Sequence, residues 1–592
     1  MSQASLASPE VAFDLSQARG LEADVVVIGA GGAGIRAAIA AKEAGANRVI
    51  LVNKGKSGET GCTQNSASDW MAFGAAFGHA DPNDAPHEHW LDIMIKGGMV
   101  CRPELSKKIA FDAPERLLDL ERWGAKFRKT GDKFFQVLSD GARFARACGS
   151  GANTGPEIMN ALMRRAREVG VEFVDNVMAI DLVLGDSGSV QSCVGLDTNN
   201  GEPVTFHTPA VVVATGGAGE LFKFNAFPSG MTGDGTAMAY RAGARLANME
   251  FIQIGPVIVP PYKFALSGIF WRLNPRVTNG LGEEFIDKYI PEGVDREQAV
   301  YIKGHSFPFS VRNASMHVDV GIYHEIASGR TAPNGGVWMD ISHNPKEVIE
   351  GHQHSMVSVE HLLSRGIDIR KEKVEFAPTV QHFNGGILIN ERAESDIPGL
   401  YACGEAAGGQ HGADRPGGNA LADCQVFGYI AGRSAAEYAS GIENRAEMIS
   451  AVGAARPKIA VDQDDIERDL ADLRWLMWKN ATVVRTTDGL KQAKSKLFDL
   501  REKSRRTVTA HPKSVELANL IEIGLAVTTA ALAREESRGT HHRADFPERR
   551  DNEWIKMSII TSGQDGPELD YENVEVPQEI TTGLACGTLK MD

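Results

Sequence analysis

Three glycines, Gly29, Gly31 and Gly34, stand in the spacing G-x-G-x-x-G, with Ala30, Gly32 and Ala33 between them. A β-branched run at 24–28 precedes them and an alanine-rich run at 35–41 follows, so they fall at a strand-to-helix turn. That placement suits a dinucleotide. One glycine makes the turn, one lets backbone N–H groups approach a pyrophosphate, one packs helix on strand, and the helix N-terminus stabilises the phosphate charge. A second apolar strand at 48–52 ends on Asn53-Lys54, where an NAD site usually carries an acid for the ribose hydroxyls. Simple NAD binding by this unit loses weight, although Asn53 can reach a ribose through its amide. Glu405, after the late strand 400–403, is a second candidate for ribose contact, or else a solvated turn carboxylate.

The elements that must position these residues are legible in the periodicity. A helix at 156–169 leads into a strand at 171–174, and another apolar strand follows at 210–214. Glycine punctuation returns at 385–405, and an alanine-rich helix spans about 421–438. The intervening stretch is richer in Pro, His and aromatic residues and weaker in periodicity. The expectation is an α/β fold: a discontinuous Rossmann-like nucleotide-binding domain at 21–249 and 375–445, with an α+β cap inserted at 250–374. A helical C-terminal domain at 456–560 and a loose tail at 561–592 complete it, with no internal repeat.

The 592 residues carry 62 Lys+Arg against 77 Asp+Glu, a net charge of -15, so nucleic acid is not an expected partner. The seven cysteines are scattered and never spaced C-x-x-C. That argues against a disulfide scaffold, a zinc site or an iron–sulfur cluster held by this chain alone, and for a reducing, cytoplasmic setting. Residues 1–20 lack a signal-peptide pattern. The apolar stretch 251–271 contains Gln253, Pro256, Pro260, Pro261 and Lys263, which makes a spanning helix improbable. His87 with His89, and His352 with His354, have i, i+2 spacing, which on a helix does not direct both at one metal. His541-His542 lies in a charge-rich segment that reads as solvated surface. No metal site is expected.

These segments together resemble the flavoprotein subunit family of succinate dehydrogenase and fumarate reductase, with L-aspartate oxidase and the adenylylsulfate reductase flavoprotein as relatives. The resemblance spans most of the chain: the opening glycines, Ala214-Thr215-Gly216-Gly217, Thr232-Gly233-Asp234-Gly235, Asn248-Met249-Glu250-Phe251, the run 396–405, His411-Gly412-Ala413-Asp414-Arg415 with Gly417-Gly418-Asn419-Ala420-Leu421, and 536–547. It implies FAD. Gly29 to Gly34 would surround the diphosphate, Asn53 and Lys54 the adenosine end, with Thr60 in the segment that follows. Thr215 and Gly216 would line the dinucleotide, and Asp234 and Glu405 would hold its polar groups. Asn419, Ala420 and Leu421 would open a helix aimed at the flavin O2/N1 edge, where a reduced anionic flavin concentrates charge. Dehydrogenase members attach FAD through a histidine in R-S-H-T-x-A-A-Q-G-G. The corresponding 57–67 has none, so FAD is expected to be non-covalent, which inclines the reading towards a reductase.

The family's substrate residues are only partly kept. Gly255 stands where Q-F-H-P-T-G has its histidine. The arginine of R-G-E-G-G falls on Trp271, with Arg272 beside it and Arg276 nearby. The histidine of H-Y-x-M-G-G is displaced by one residue to His382, and Arg415 alone keeps its place. Two carboxylates need two convergent sets of donors, so plain succinate/fumarate turnover is disfavoured. Gly255, Val257 and Trp271 suggest a roomier, less polar pocket, as a small-molecule anionic substrate that is bulkier than succinate and carries one anionic group would require. The retained chemistry would be hydride transfer between flavin N5 and a C–C/C=C bond. Arg415 would hold the anion, and Arg272, Arg276 or His382 would be the acid/base, unless the first two make only surface salt bridges. The alternatives are an electron-transfer subunit of a larger complex and an adenylylsulfate-reductase-like enzyme. An external donor or acceptor is needed in every case: a ferredoxin, oxygen or an iron–sulfur subunit. The segment 571–592 would be a docking strap or a frayed end.

Overall fold

The strands Val25–Ile28, Val49–Asn53 and Ala210–Val213 are buried at every position, as strands covered on both faces must be. The computed structural model describes residues 18–66, 68, 70–260, 262–265, 268–351, 353–442, 463–507 and 511–590. In it these strands form a parallel sheet in the order Leu400–Ala402, Ala210–Val213, Val25–Ile28, Val49–Asn53 and Glu172–Asp175. The chain thus leaves the sheet after 213 and returns at 400. Helices Gly32–Glu43 and Asn419–Ser440 pack directly on each other. Their closeness depends on glycine: a Cβ at Gly428 would meet the Ala33 carbonyl at 2.7 Å, and one at Gly432 the Ala37 carbonyl at 2.0 Å.

Between the two visits the chain builds a four-stranded antiparallel sheet, Ile252–Ile258, Val374–Phe383, Val337–Asp340 and Arg276–Thr278 in spatial order. The pair Ile252–Ile258 with Val374–Phe383 is interrupted by a bulge, since Gln253 faces His382 but Ile254 faces Val380. Gln381 is the extra residue. Helices Gln463–Ala481, Thr487–Thr507 and Pro512–Ala533 form the C-terminal helical region. Among the described residues, Pro512–Ala533 is the one helix long and apolar enough to cross a membrane. Its apolar window is 89% buried inside the protein, as in a central core helix.

Two expectations are corrected. The stretch 561–592 is not loose over its described residues. Lys556–Ser562 and Pro567–Asn573 form a hairpin that joins the sheet containing Leu246–Ala247, Glu572 pairs with Arg102 at 2.8 Å, and helix Gln578–Ala585 follows. His541-His542 is not solvated surface: His541 is fully buried and His542 nearly so. The segment is rich in charge because its charges pair internally across the chain. Arg534 reaches Glu250 at 2.7 Å and Glu536 at 3.0 Å, Arg538 reaches Glu536 at 2.7 Å, and Arg485 donates to the Glu250 carbonyl at 2.6 Å. A buried charge survives only when paired and hydrogen-bonded, so this network ties the C-terminal region to the rest of the fold.

Candidate functional site

The three glycines have three different surroundings. Gly29 has φ +102°, and a Cβ there would meet the Ala214 carbonyl at 2.5 Å. At Gly34 a Cβ would fall 1.8 Å from the Gly29 carbonyl, which is the helix-on-strand contact. At Gly31 a Cβ would meet nothing within 4 Å, because Gly31 faces a cavity of about 330 Å3. Close backbone approach is open there and nowhere else in the motif. The same cavity is lined by Ala30, Gly32 and Ala33 of the turn and by Asn53, Lys54, Thr60, Thr215, Gly216, Asp234 and Glu405. Gly34 lies behind it as packing, and Asn419, Ala420 and Leu421 lie outside its lining, at the start of the helix whose Cys424 does line it.

The polar residues around the cavity divide into two kinds. Asn53 accepts from the Ala30 N–H at 3.3 Å and donates to Thr60 Oγ1 at 3.0 Å, so it braces the glycine turn. Lys54 donates to Thr232 and Asp234 at 2.8 Å each and to Glu516 at 3.0 Å. Burial pulls its pKa down, and the two carboxylates more than offset that, leaving it raised. Asp234 also accepts from Thr232 at 2.8 Å and Asn519 at 2.9 Å. Lys54 and Asp234 therefore join the cavity wall to the C-terminal helix. Other groups have no protein partner among the described residues: Thr215 Oγ1, and Asn419 Nδ2 on a side chain that is 1% exposed. Glu405 accepts from the Phe383 N–H at 2.8 Å, and burial pushes its carboxyl up to about 8 against the pull of Arg415. The unpartnered Thr215 hydroxyl beside an open backbone cradle fits a phosphate-bearing dinucleotide.

Arg415 is fixed from its own loop and from the inserted sheet. Nη1 donates to the Pro416 carbonyl at 3.0 Å and Nη2 to Gln253 Oε1 at 2.9 Å, while Nε is buried without a partner among the described residues. Gln253 in turn donates to Asp414 at 2.7 Å, and Asp414 accepts from Arg312 at 3.1 Å. The bulge at Gln381 sets His382 directly across from Gln253, whose amide holds Arg415, and the Arg415 charge acts on the His382 ring. Burial, with help from Arg415 and His411, holds the His382 imidazole well below its ordinary pKa.

The other two acid/base candidates are not brought here. Arg272 sits 2.8 Å from His305 Nδ1 on a second cavity of about 320 Å3 that shares no lining residue with the first. Arg276 is exposed on the edge strand, opposite Asp340. The expectation of a roomier pocket also fails. A Cβ at Gly255 would meet Gln381 Oε1 and Phe307 Cε1 at 2.9 Å each, so neighbouring side chains fill that space, and Trp271 is fully buried edge-on against Phe376. Sequence reading gave no site role to Gln253, His89 and His411, and it missed Asp423. His89 Nε2 lies 2.9 Å from Asn419 Oδ1, and burial lowers its pKa to about 3, so a neutral imidazole orients the first residue of the late helix. For Asp423 the signal available was a carboxylate inside an apolar helical run, and for His411 its place in the motif that ends on Arg415.

Comparison with known proteins agrees with this geometry. Residues 24–421 match the FAD binding domain family and residues 470–582 the fumarate reductase flavoprotein C-terminal family. The chain is 38% identical over 558 residues to an uncharacterised FAD-dependent oxidoreductase of Methanocaldococcus jannaschii, covering 92% of this chain and 97% of that one. It is 36% identical over 569 residues to a subunit of the CoM/CoB fumarate reductase of Methanothermobacter marburgensis, covering 92% and 98%. Among solved structures, Sdh1 of Mycobacterium smegmatis superposes with a TM-score of 0.82 at 28% identity, covering 96% and 97% of the two chains. The chain is an FAD-dependent oxidoreductase and belongs to the flavoprotein family of the fumarate reductases and succinate dehydrogenases.

Proposed function

We propose that the protein exchanges a hydride with a C–C/C=C bond of a substrate carrying one anionic group, using non-covalent FAD and a separate electron carrier of the iron–sulfur type. FAD, when bound, supplies the two-electron store and the hydride at N5. The observation that carries the reading is Arg415: its two terminal nitrogens are fixed by Gln253 and Pro416, its Nε is left unpartnered among the described residues, and a buried histidine stands beside it. That guanidinium holds one anionic group and draws electron density from the adjoining carbons as the hydride arrives. His382, kept neutral, stands ready to take a proton in the oxidative direction. Among the described residues, the groups nearest a side chain at Gly255 are an amide and a phenyl ring and not a cation, which supports a substrate other than plain succinate or fumarate.

Non-covalent attachment is supported by the absence of histidine from 57–67 and by the thiols on the cavity wall. Burial pushes the thiols of Cys62, Cys403 and Cys424 up, so none is a thiolate nucleophile at neutral pH. The relative in Methanothermobacter is a subunit by name, which accords with electrons arriving from another chain. The test is to purify the yellow protein, reduce it photochemically under argon, and screen enoates for reoxidation. Acid precipitation should release all flavin into solution. Arg415→Lys should slow reoxidation by about 10²–10³-fold with FAD content unchanged. Fumarate as the fastest oxidant, or an indifferent Arg415→Lys, would overturn the reading.

A further inference from the structure

His411 and Asp423 are each 1% exposed, and they face one another across 3.7 Å, Nε2 to Oδ2. Both ring nitrogens of His411 and both oxygens of Asp423 lack any closer protein partner among the described residues. A bare buried carboxylate beside a bare buried imidazole is costly, and one proton between them removes most of that cost, as Asp–COOH with His or as Asp–COO⁻ with HisH⁺. The pair does not stand alone. The His382 ring meets the His411 ring edge-on with centroids 5.6 Å apart, and His382 Nδ1 lies 3.1 Å from Asn384 Oδ1. His382 also faces Arg415. Asp423 belongs to the helix Asn419–Ser440, one residue before Cys424, which lines the dinucleotide cavity.

From this arrangement we propose that His411 and Asp423 hold one proton between them and deliver it through His382 to the substrate carbon adjacent to the one that exchanges hydride. The inference rests on the proposed function. It supplies what a neutral His382 lacks, namely an acid for the reductive direction. In that direction the proton of the pair first passes from His411 to His382, the carbon–carbon π bond breaks, the hydride with its two electrons bonds to one carbon, and the π electrons of the other take that proton from His382. His382 is left neutral again, the pair recovers a proton from water, and the two electrons return from the external iron–sulfur carrier. The reverse sequence serves oxidation. The charges facing the relay are Arg415 towards both histidines and towards Asp423, and Glu405 towards Asp423. The thiols of Cys403 and Cys424 also face Asp423 and stay protonated because burial pushes them up.

The test has two arms on the FAD-loaded protein. In the first, 15N-histidine NMR and carboxyl infrared bands are followed against pH. One coupled titration should move His411 and Asp423 together. In Asp423→Asn it should be replaced by His411 titrating alone, and Asp423→Glu should restore it. An ionised Asp423 beside a neutral His411 throughout the neutral range would overturn the proposal. In the second arm, the photoreduced protein is reoxidised with crotonate. Asp423→Asn and His411→Gln should each lower kcat about 10²-fold or more at unchanged KM and FAD content, with the high-pH limb of the profile displaced. A parallel loss of FAD and thermal stability, with the surviving holoprotein at full rate, would show a structural role only and overturn the relay. Should crotonate leave wild-type flavin reduced, the proposed function fails for that enoate, while the titration still decides whether the pair holds a proton.

Discussion

Gly31→Ala and Gly34→Ala make the same chemical change three residues apart, and the structure assigns them opposite consequences. Gly31 has φ -79° and ψ -175°, which any residue adopts, and its new methyl would meet no protein atom within 4 Å. The folded apo-protein should accept it within about 0.5 kcal/mol. The methyl instead enters the cavity at the glycine turn, where the motif is expected to hold the dinucleotide's phosphates. Displacing the phosphates there should weaken FAD by about 10- to 100-fold, or about 1.4–2.7 kcal/mol. At Gly34 the methyl would lie 1.8 Å from the Gly29 carbonyl, where side-chain carbons essentially never come within 3.0 Å. Helix and strand must part by more than about 1 Å, beyond the range of ordinary overpacking costs of about 1–3 kcal/mol, so the apo-fold itself should fail. The assay pairs thermal unfolding of the apo-protein with fluorescence titration of FAD. If Gly31→Ala destabilised the apo-protein as much as Gly34→Ala, or left FAD affinity untouched, the three-role account of the motif would be refuted.

Two further outcomes follow from the charges around the cavity. Lys54→Met removes the cation shared by Asp234 and Glu516, whose side chains are 10% and 8% exposed. It should cost about 3–5 kcal/mol in denaturant unfolding, because buried carboxylates are left uncompensated; a loss confined to FAD affinity would contradict the structural role given to the ion group. Glu405, raised to about 8 by burial, binds its proton more tightly folded than unfolded. Its stabilisation is therefore complete below the ordinary carboxylate range and lost as pH rises towards about 8. Apo-protein melting temperatures should decline across that window, and Glu405→Gln should flatten the decline.

The glycine turn, the strands at 24–28, 48–52 and 210–214, the late alanine-rich helix and Arg415 are all legible in the sequence. Each depends on local rules: a glycine where the turn or a close contact excludes a Cβ, an unbroken apolar run where both faces are covered, a motif with fixed spacing. What the sequence misleads about is pairing at a distance. Charges at 534–545 read as solvated because composition cannot show that Glu250 and Arg485, far away in the chain, meet them in the interior. Gly255 reads as added room because the sequence cannot show Phe307 and Gln381 entering it. Arg272 stands as near to its motif place as His382 does to its own, yet of the two only His382 faces Arg415.

The parallel sheet, the glycine turn and the arginine that keeps its place in the family motif follow from neighbours in the chain and can be read before any fold is known. Three other features emerge only on folding: a bulge at Gln381 turns His382 towards Arg415, Lys54 binds carboxylates of its own protein, and His411 meets Asp423 in the interior. Burial and electrostatic partnership are properties of the assembled interior, because a side chain's charge state and reach depend on residues that folding brings within a few ångströms.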